Sequence, residues 1–164
     1  MTATKNTREE LLYLARLAEQ CERYDEMVEY ASEFAKAGGE ELTLEERNIL
    51  SVAFKNVVGT RRAAWRVLSS IEKKENNKGN ATNVEKVKHY KSQIEEELTK
   101  VCQDILVLLE QHLIPHTNQE EAQVFFYKMK GDYYRYIAEY AVAEKRNAAA
   151  QKALNSYQEA HEIA

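Results

Sequence analysis

Breakers are scarce in this sequence. One proline and five glycines stand among 164 residues, against an abundance of Ala, Leu, Glu and Lys, and that balance favours helices throughout. Cysteine is equally sparse. Cys21 and Cys102 lie far apart in helical patterns and match neither a disulfide framework nor a CxxC site, so buried reduced thiols are expected. No N-terminal apolar segment of the targeting kind is present, and no run approaches the roughly 18 apolar residues of a membrane span. These absences predict a cytoplasmic protein without a membrane partner.

Catalytic and metal-binding patterns are missing too. A carboxylate-bridged metal centre in a helical bundle needs Glu-x-x-His pairs, whose side chains share one helix face. The residues three before His89, His112, His116 and His161 are Lys86, Leu109, Leu113 and Gln158. There is no HExxH, GxGxxG or Walker loop. The sequence therefore predicts no metal, no cofactor and no enzyme. The net charge of −4 argues against nucleic acid as a partner, and it makes any local basic cluster more informative.

What remains is a single domain, residues 1–164, long enough for a real core. Four hydroxyl-x-x-carboxylate patterns announce helix starts: Thr7 to Glu10, Thr43 to Glu46, Thr82 to Glu85 and Thr117 to Glu120. Apolar three-and-four spacing then predicts six helices. The first runs from about Arg8 to Glu22, and the second from about Asp25 to a stop at Gly38-Gly39. The third begins after Thr43 and continues to about Glu75, packed on most sides, and residues 76–81 form a mobile loop. The fourth covers about Asn83 to Leu113 and ends at Ile114-Pro115. The fifth spans about Gln119 to Tyr140, and the sixth runs from near Asn147 to the chain end. No strand pattern competes, so the fold class is all-α, an antiparallel array. Because SYQEAHEIA carries no stop signal, truncation is expected.

One stretch stands out. KNVVGTRRAAWR, from Lys55 to Arg66, carries four cations and no acid. The ordinary reading of such a run is a solvated helix face. At about 100° per residue, however, Lys55, Arg62 and Arg66 fall within a sector of roughly 40°, while Arg61 points elsewhere. No acid stands at i±3 or i±4 to neutralise the stripe. A second stripe in FYKMKGDYYRYIAEY joins Lys128, Asp132, Arg135 and Glu139, opposite Phe126, Tyr133, Ile137 and Tyr140, with Tyr136 at its margin. If the stripes face one another, Lys55, Arg62, Arg135 and Tyr136 converge on one anion. Asp132 or Glu139 then holds the guanidinium groups in orientation. Guanidinium forks suit a phosphate, which offers three acceptor oxygens and up to two charges.

The same residues carry a resemblance. RNILSVAFKNV closely resembles the signature of the 14-3-3 family, and the likeness continues through VVGTRRAAWR, SSIE, LIP, FYKMKGDYYRY and SYQEAHEIA, with LAEQCERYDEMVEY before them. It covers essentially the whole chain. It implies a cup-shaped homodimer or heterodimer that binds phosphoserine and phosphothreonine peptides of client proteins, with neither catalysis nor cofactor. By matching motifs, the phosphate pocket comprises Lys55, Arg62, Arg135 and Tyr136. Lys128 matches a groove-lining residue, and Arg66 one that flanks the pocket. The resemblance also places Leu17, Cys21, Arg23, Ala64, Leu68, Tyr90 and Glu97 at the dimer interface, with an intersubunit Arg23–Glu97 pair.

Four departures accompany the likeness. Phe54 stands where tyrosine is usual, and Ala63-Ala64 replace a Ser-Ser found in some members, whose phosphorylatable serine is thus missing. Gln93 replaces a lysine of some members, which leaves Glu26 without that partner. The chain also stops where the family continues with three further helices that complete the peptide groove. The competing expectation is accordingly a fragment that only dimerises.

Overall fold

The computed structural model describes residues 6–164, and among these every regular element is helical. Helix α1 covers Arg8–Gln20, α2 Tyr24–Lys36, α3 Leu44–Lys78, α4 Ala81–Val107, α5 Glu120–Tyr140 and α6 Ala143–Ile163. Each packs chiefly on its neighbours in sequence, α1 on α2 through to α5 on α6. No helix is long and apolar enough to cross a membrane among the described residues.

Local sequence accounts for the best-defined helix start. Before α3, Thr43 Oγ1 accepts from Glu46 N at 3.1 Å, and the Glu46 carboxylate accepts from Thr43 N at 2.9 Å, a reciprocal capping box. Burial works against the Glu46 charge. The Arg8 guanidinium, donating two bonds of 2.6 Å, and Thr43 outweigh that penalty and hold the carboxyl below its usual range. Glu46 thereby ties the start of α1 to the start of α3.

Two of the four expected caps are not used as caps. Thr82 lies inside α4, which starts from Asn80, and Thr117 Oγ1 donates back to Leu113 O instead of capping α5. The loop expected at 76–81 is also mostly helix: α3 persists to Lys78, and Gly79 alone adopts the left-handed conformation, at φ 74°, before α4 begins. A single left-handed glycine is enough to reverse the chain there. At the other end of α4, regular α-helix gives way to a π-helical stretch, Leu108–Leu113, and a 3₁₀ turn, Ile114–His116, around the single proline.

The core joins Leu11, Met27, Phe34, Leu50, Phe54, Leu98, Ile105, Leu109, Phe126 and Tyr133, drawn from α1 through α5. Helix α6 reaches α5 differently. Its buried residues are small, Ala149, Ala153, Ser156 and Ala160, so its axis comes close. At Gly131 of α5 a Cβ would lie 2.6 Å from the Tyr157 ring, and only a hydrogen fits. Two sequence expectations fail on exposure. Cys102 is buried, but Cys21 is exposed at the end of α1. Helix α3 is not packed on most sides, because its second half leaves Val67 and Ile71 exposed.

Candidate functional site

Helices α3 and α5 are not packed along their lengths; aromatic and long charged side chains bridge them. The aromatic part lies beneath. The Phe54 and Tyr133 rings meet edge to face at 6.4 Å, and Tyr133 and Tyr136 do the same at 5.2 Å. Tyr133 is fully buried, its hydroxyl has no hydrogen-bond partner among the described residues, and burial pushes its pKa up. Phe54 presents no hydroxyl that would answer it. The departure from tyrosine at position 54 therefore leaves an apolar floor.

Above this floor the two stripes meet. The Arg62 guanidinium lies 4.1 Å from the centre of the Tyr136 ring, and the Arg135 guanidinium lies 5.1 Å from the same centre. One ring from α5 thus gathers an arginine from each helix. Glu139, one turn beyond Arg135, accepts from Arg62 Nε and Nη2 at 3.1 and 2.8 Å on one carboxylate oxygen. Its other oxygen accepts from Arg66 Nε at 2.7 Å. Burial disfavours the Glu139 charge, but Arg66 and Arg62 together hold its carboxyl below the usual range.

Arg62 is clear of acids only on its own helix; across the gap it is ion-paired. Among the described residues the pairing leaves Arg62 Nη1 without a hydrogen-bond partner, so Glu139 orients the fork without using all of it. On the other side of Tyr136, Arg135 Nη2 stands 3.7 Å from Asp132 Oδ1. Burial alone would lower the Arg135 pKa; Tyr157, Tyr136 and Asp132 beside it raise it instead.

Lys55 lies two turns before Arg62 on α3, exposed and without an ion pair among the described residues. Lys128 on α5 is likewise exposed and unpaired among them. Arg62, Arg135 and Tyr136 are therefore in direct contact. Arg66 joins them through Glu139, while Lys55 and Lys128 stand two turns before Arg62 and Arg135 on α3 and α5. Such a surface can hold an anion with several charge-assisted donors, and the guanidinium planes suit a tetrahedral oxyanion.

The second set of expected residues stays open to solvent. Leu17 and Tyr90 are 39% and 57% exposed, which is unusual for large apolar side chains. Cys21, Arg23 and Glu97 are exposed, and Ala64 and Leu68 are half-buried. Within the chain Arg23 donates to Glu26, which is therefore not unpartnered, and Glu97 lies 3.9 Å from Arg61. Arg61 also approaches Asp25 at 3.8 Å, so it turns away from the cationic stripe as its spacing predicts.

Spacing missed one contributor. Tyr157 of α6 donates to Asp132 Oδ1 at 2.5 Å, which brings a third helix to the site. Its only signal is the glycine at position 131, inside a helical pattern, which marks where another element comes close.

Comparison with known proteins gives one consistent answer. The sequence model of the family described as 14-3-3 protein matches residues 14–164. The chain is 58% identical over 158 residues to a checkpoint signal transducer, rad24, of Schizosaccharomyces pombe, covering 96% of this chain and 58% of that protein. It is 54% identical over 157 residues to the 14-3-3-like protein GF14 iota of Arabidopsis thaliana, covering 96% and 58%. For the 14-3-3-like protein GF14 epsilon of the same plant the identity is 55% over 156 residues, covering 95% and 61%. The chain thus spans about three fifths of the length of these relatives.

Proposed function

The chain belongs to the 14-3-3 family, and from that premise we propose that it is a non-catalytic cytoplasmic adaptor that binds phosphoserine or phosphothreonine peptides and works as a homodimer or heterodimer. The observation that carries this reading is the gathering of Arg62 and Arg135 over the Tyr136 ring, with Lys55 exposed two turns before Arg62 on α3, in a protein that is acidic overall. A phosphate replaces no existing partner of Lys55 or of Arg62 Nη1. Each charge-assisted bond contributes about 1.5–3 kcal/mol, and two or three of them approach the roughly 8 kcal/mol of a micromolar complex. The S. pombe relative is named a signal transducer, and phosphate-dependent capture of clients is a way to relay a signal. Leu17 and Tyr90 support the dimeric part, since these large apolar side chains are exposed and a second copy would cover them.

The test is isothermal titration of the 164-residue chain with a phosphoserine peptide and its unphosphorylated twin. The phosphopeptide binds and the twin does not. Lys55→Glu places a carboxylate where the phosphate must approach, and it lowers the affinity about 100-fold, the equivalent of one strong charged bond. Helicity by circular dichroism stays at the parent value, because Lys55 is exposed. Parent-like affinity in Lys55→Glu overturns the phosphate reading. A chain that dimerises but does not tell the two peptides apart is a dimerisation fragment.

A further inference from the structure

Asp132 presents a problem for an anion site. It lies one turn before Arg135 on the same helix face, the spacing at which an aspartate closes an ion pair with an arginine. A closed pair would draw the guanidinium away from an incoming phosphate. The pair is not closed: Arg135 Nη2 remains 3.7 Å from Asp132 Oδ1, beyond hydrogen-bond reach. What occupies that oxygen is the Tyr157 hydroxyl, at 2.5 Å.

We infer that Tyr157 is a positioning residue for Arg135: by holding the Asp132 carboxylate from α6, it keeps the guanidinium open to the anion. This rests on the phosphate-binding reading and extends it to a helix that offers the anion no charge of its own. Several features of the structure are built around the contact. Gly131 lets the Tyr157 ring lie against α5, where a Cβ would come within 2.6–2.8 Å of ring carbons. The neighbouring Ala153, Ser156 and Ala160 are small and buried, so α6 comes close enough for the phenol to reach Asp132. Asp132 is itself mostly buried, with its side chain 17% exposed, whereas that of Arg135 is 58% exposed. The carboxylate is thus held inside while the guanidinium faces out. Burial and then the Asp132 bond push the Tyr157 phenol up to about 12, so it remains a donor across the physiological range.

The consequence is specific. Tyr157→Phe keeps the ring on Gly131 but releases Asp132 Oδ1, which turns to Arg135 and competes with the phosphate. Phosphopeptide affinity falls about three- to fivefold, the strength of an exposed ion pair that must be broken on binding. In an Asp132→Asn background no carboxylate is present to compete, and the same Tyr157→Phe change has no effect on affinity. A tyrosine that mattered only for packing would cost the same in both backgrounds.

The experiment is a double-mutant cycle on the 164-residue chain: parent, Tyr157→Phe, Asp132→Asn and the pair, titrated with the phosphoserine peptide, with circular dichroism on each. Loss in Tyr157→Phe that disappears beside Asp132→Asn supports the inference. Undiminished affinity in Tyr157→Phe overturns it, and so does a loss of equal size in both backgrounds. Should Tyr157→Phe fail to fold, Asp132→Asn alone decides. It must bind as the parent does, since Tyr157 already keeps that carboxylate from Arg135, and binding several-fold tighter or weaker overturns the inference. If the parent does not distinguish the phosphopeptide from its twin, the pocket reading itself fails. That outcome is separate from every outcome of the cycle.

Discussion

Between Ile49 and Val58, helix α3 sends six apolar side chains into the core, whereas beyond Val58 the same helix buries none. Apolar residues do not run out: Val67, Leu68 and Ile71 continue the spacing. The first half is covered because α1, α2 and the aromatic floor of α5 converge on it. The second half has α4 beside it, and Val67 and Ile71 reach past that helix into solvent. The residues proposed for function gather where cover is thinnest. Arg62 and Arg66 of the proposed anion site and Ala64 and Leu68 of the expected dimer contact all lie in the second half, and Lys55 is an exposed residue of the first. Apolar periodicity reports which face seeks cover. It does not report whether the chain itself supplies that cover.

Four measurements test this contrast. The largest effect is in the buried half. Phe54→Ala removes a fully enclosed ring and lowers unfolding free energy by about 3–5 kcal/mol. Val67→Ala, in the open half, stays within about 0.5 kcal/mol of the parent. Urea unfolding of both variants checks the pair, and equal losses would remove the distinction between the two halves.

The exposed apolar residue Leu17 is next. Leu17→Glu places a charge where a second copy would bury it, at a cost of about 3 kcal/mol of association. Sedimentation then shows monomer at concentrations where the parent is dimeric, with the folded monomer intact. An unchanged dimer moves the interface elsewhere.

Capping gives a smaller contrast. Thr43→Ala breaks the reciprocal box at the start of α3 and costs about 1 kcal/mol. Thr82→Ala, at a pattern that the fold does not use as a cap, stays within about 0.5 kcal/mol. Thermal melts separate them if the box at Thr43 is the working one.

The smallest effect is electrostatic. Glu139 is held below the usual carboxylate range, so its pairing with Arg62 and Arg66 stabilises the fold fully above the ordinary glutamate value of about 4.3. That contribution is lost only as pH falls through the lower folded value. Glu139→Gln therefore costs less than about 1 kcal/mol at neutral pH, since these groups are partly solvated. The gap between variant and parent closes below the ordinary carboxylate range. A gap that widens on acidification contradicts the assignment of Glu139 as the ionised partner.

Much of this is legible in the sequence. The helical class, the number of helices and the stripe of Lys55, Arg62 and Arg66 all follow from scarce breakers and a 3.6-residue period, which are local properties. The boundary errors share one cause. A hydroxyl-x-x-carboxylate pattern states that a helix can start, and Thr82 and Thr117 show that a neighbouring start can prevail. The polar stretch 76–81 looked like a loop from composition, yet α4 packs on α3 and carries the helix on to Lys78.

Periodicity on each helix alone determined which residues share a face, and therefore that Lys55, Arg62 and Arg66 form one row and Lys128, Asp132, Arg135 and Glu139 another. What each row meets depends on how the helices pack against one another. Glu139 answers Arg62 from 77 residues away, Tyr136 gathers arginines from two helices, and Tyr157 holds Asp132 across the α5–α6 contact. Helical geometry is set by bonds between residues four apart, so the sequence carries it openly. Ion pairs and ring contacts between helices depend on how those helices cross, and that is settled by the burial of the whole core.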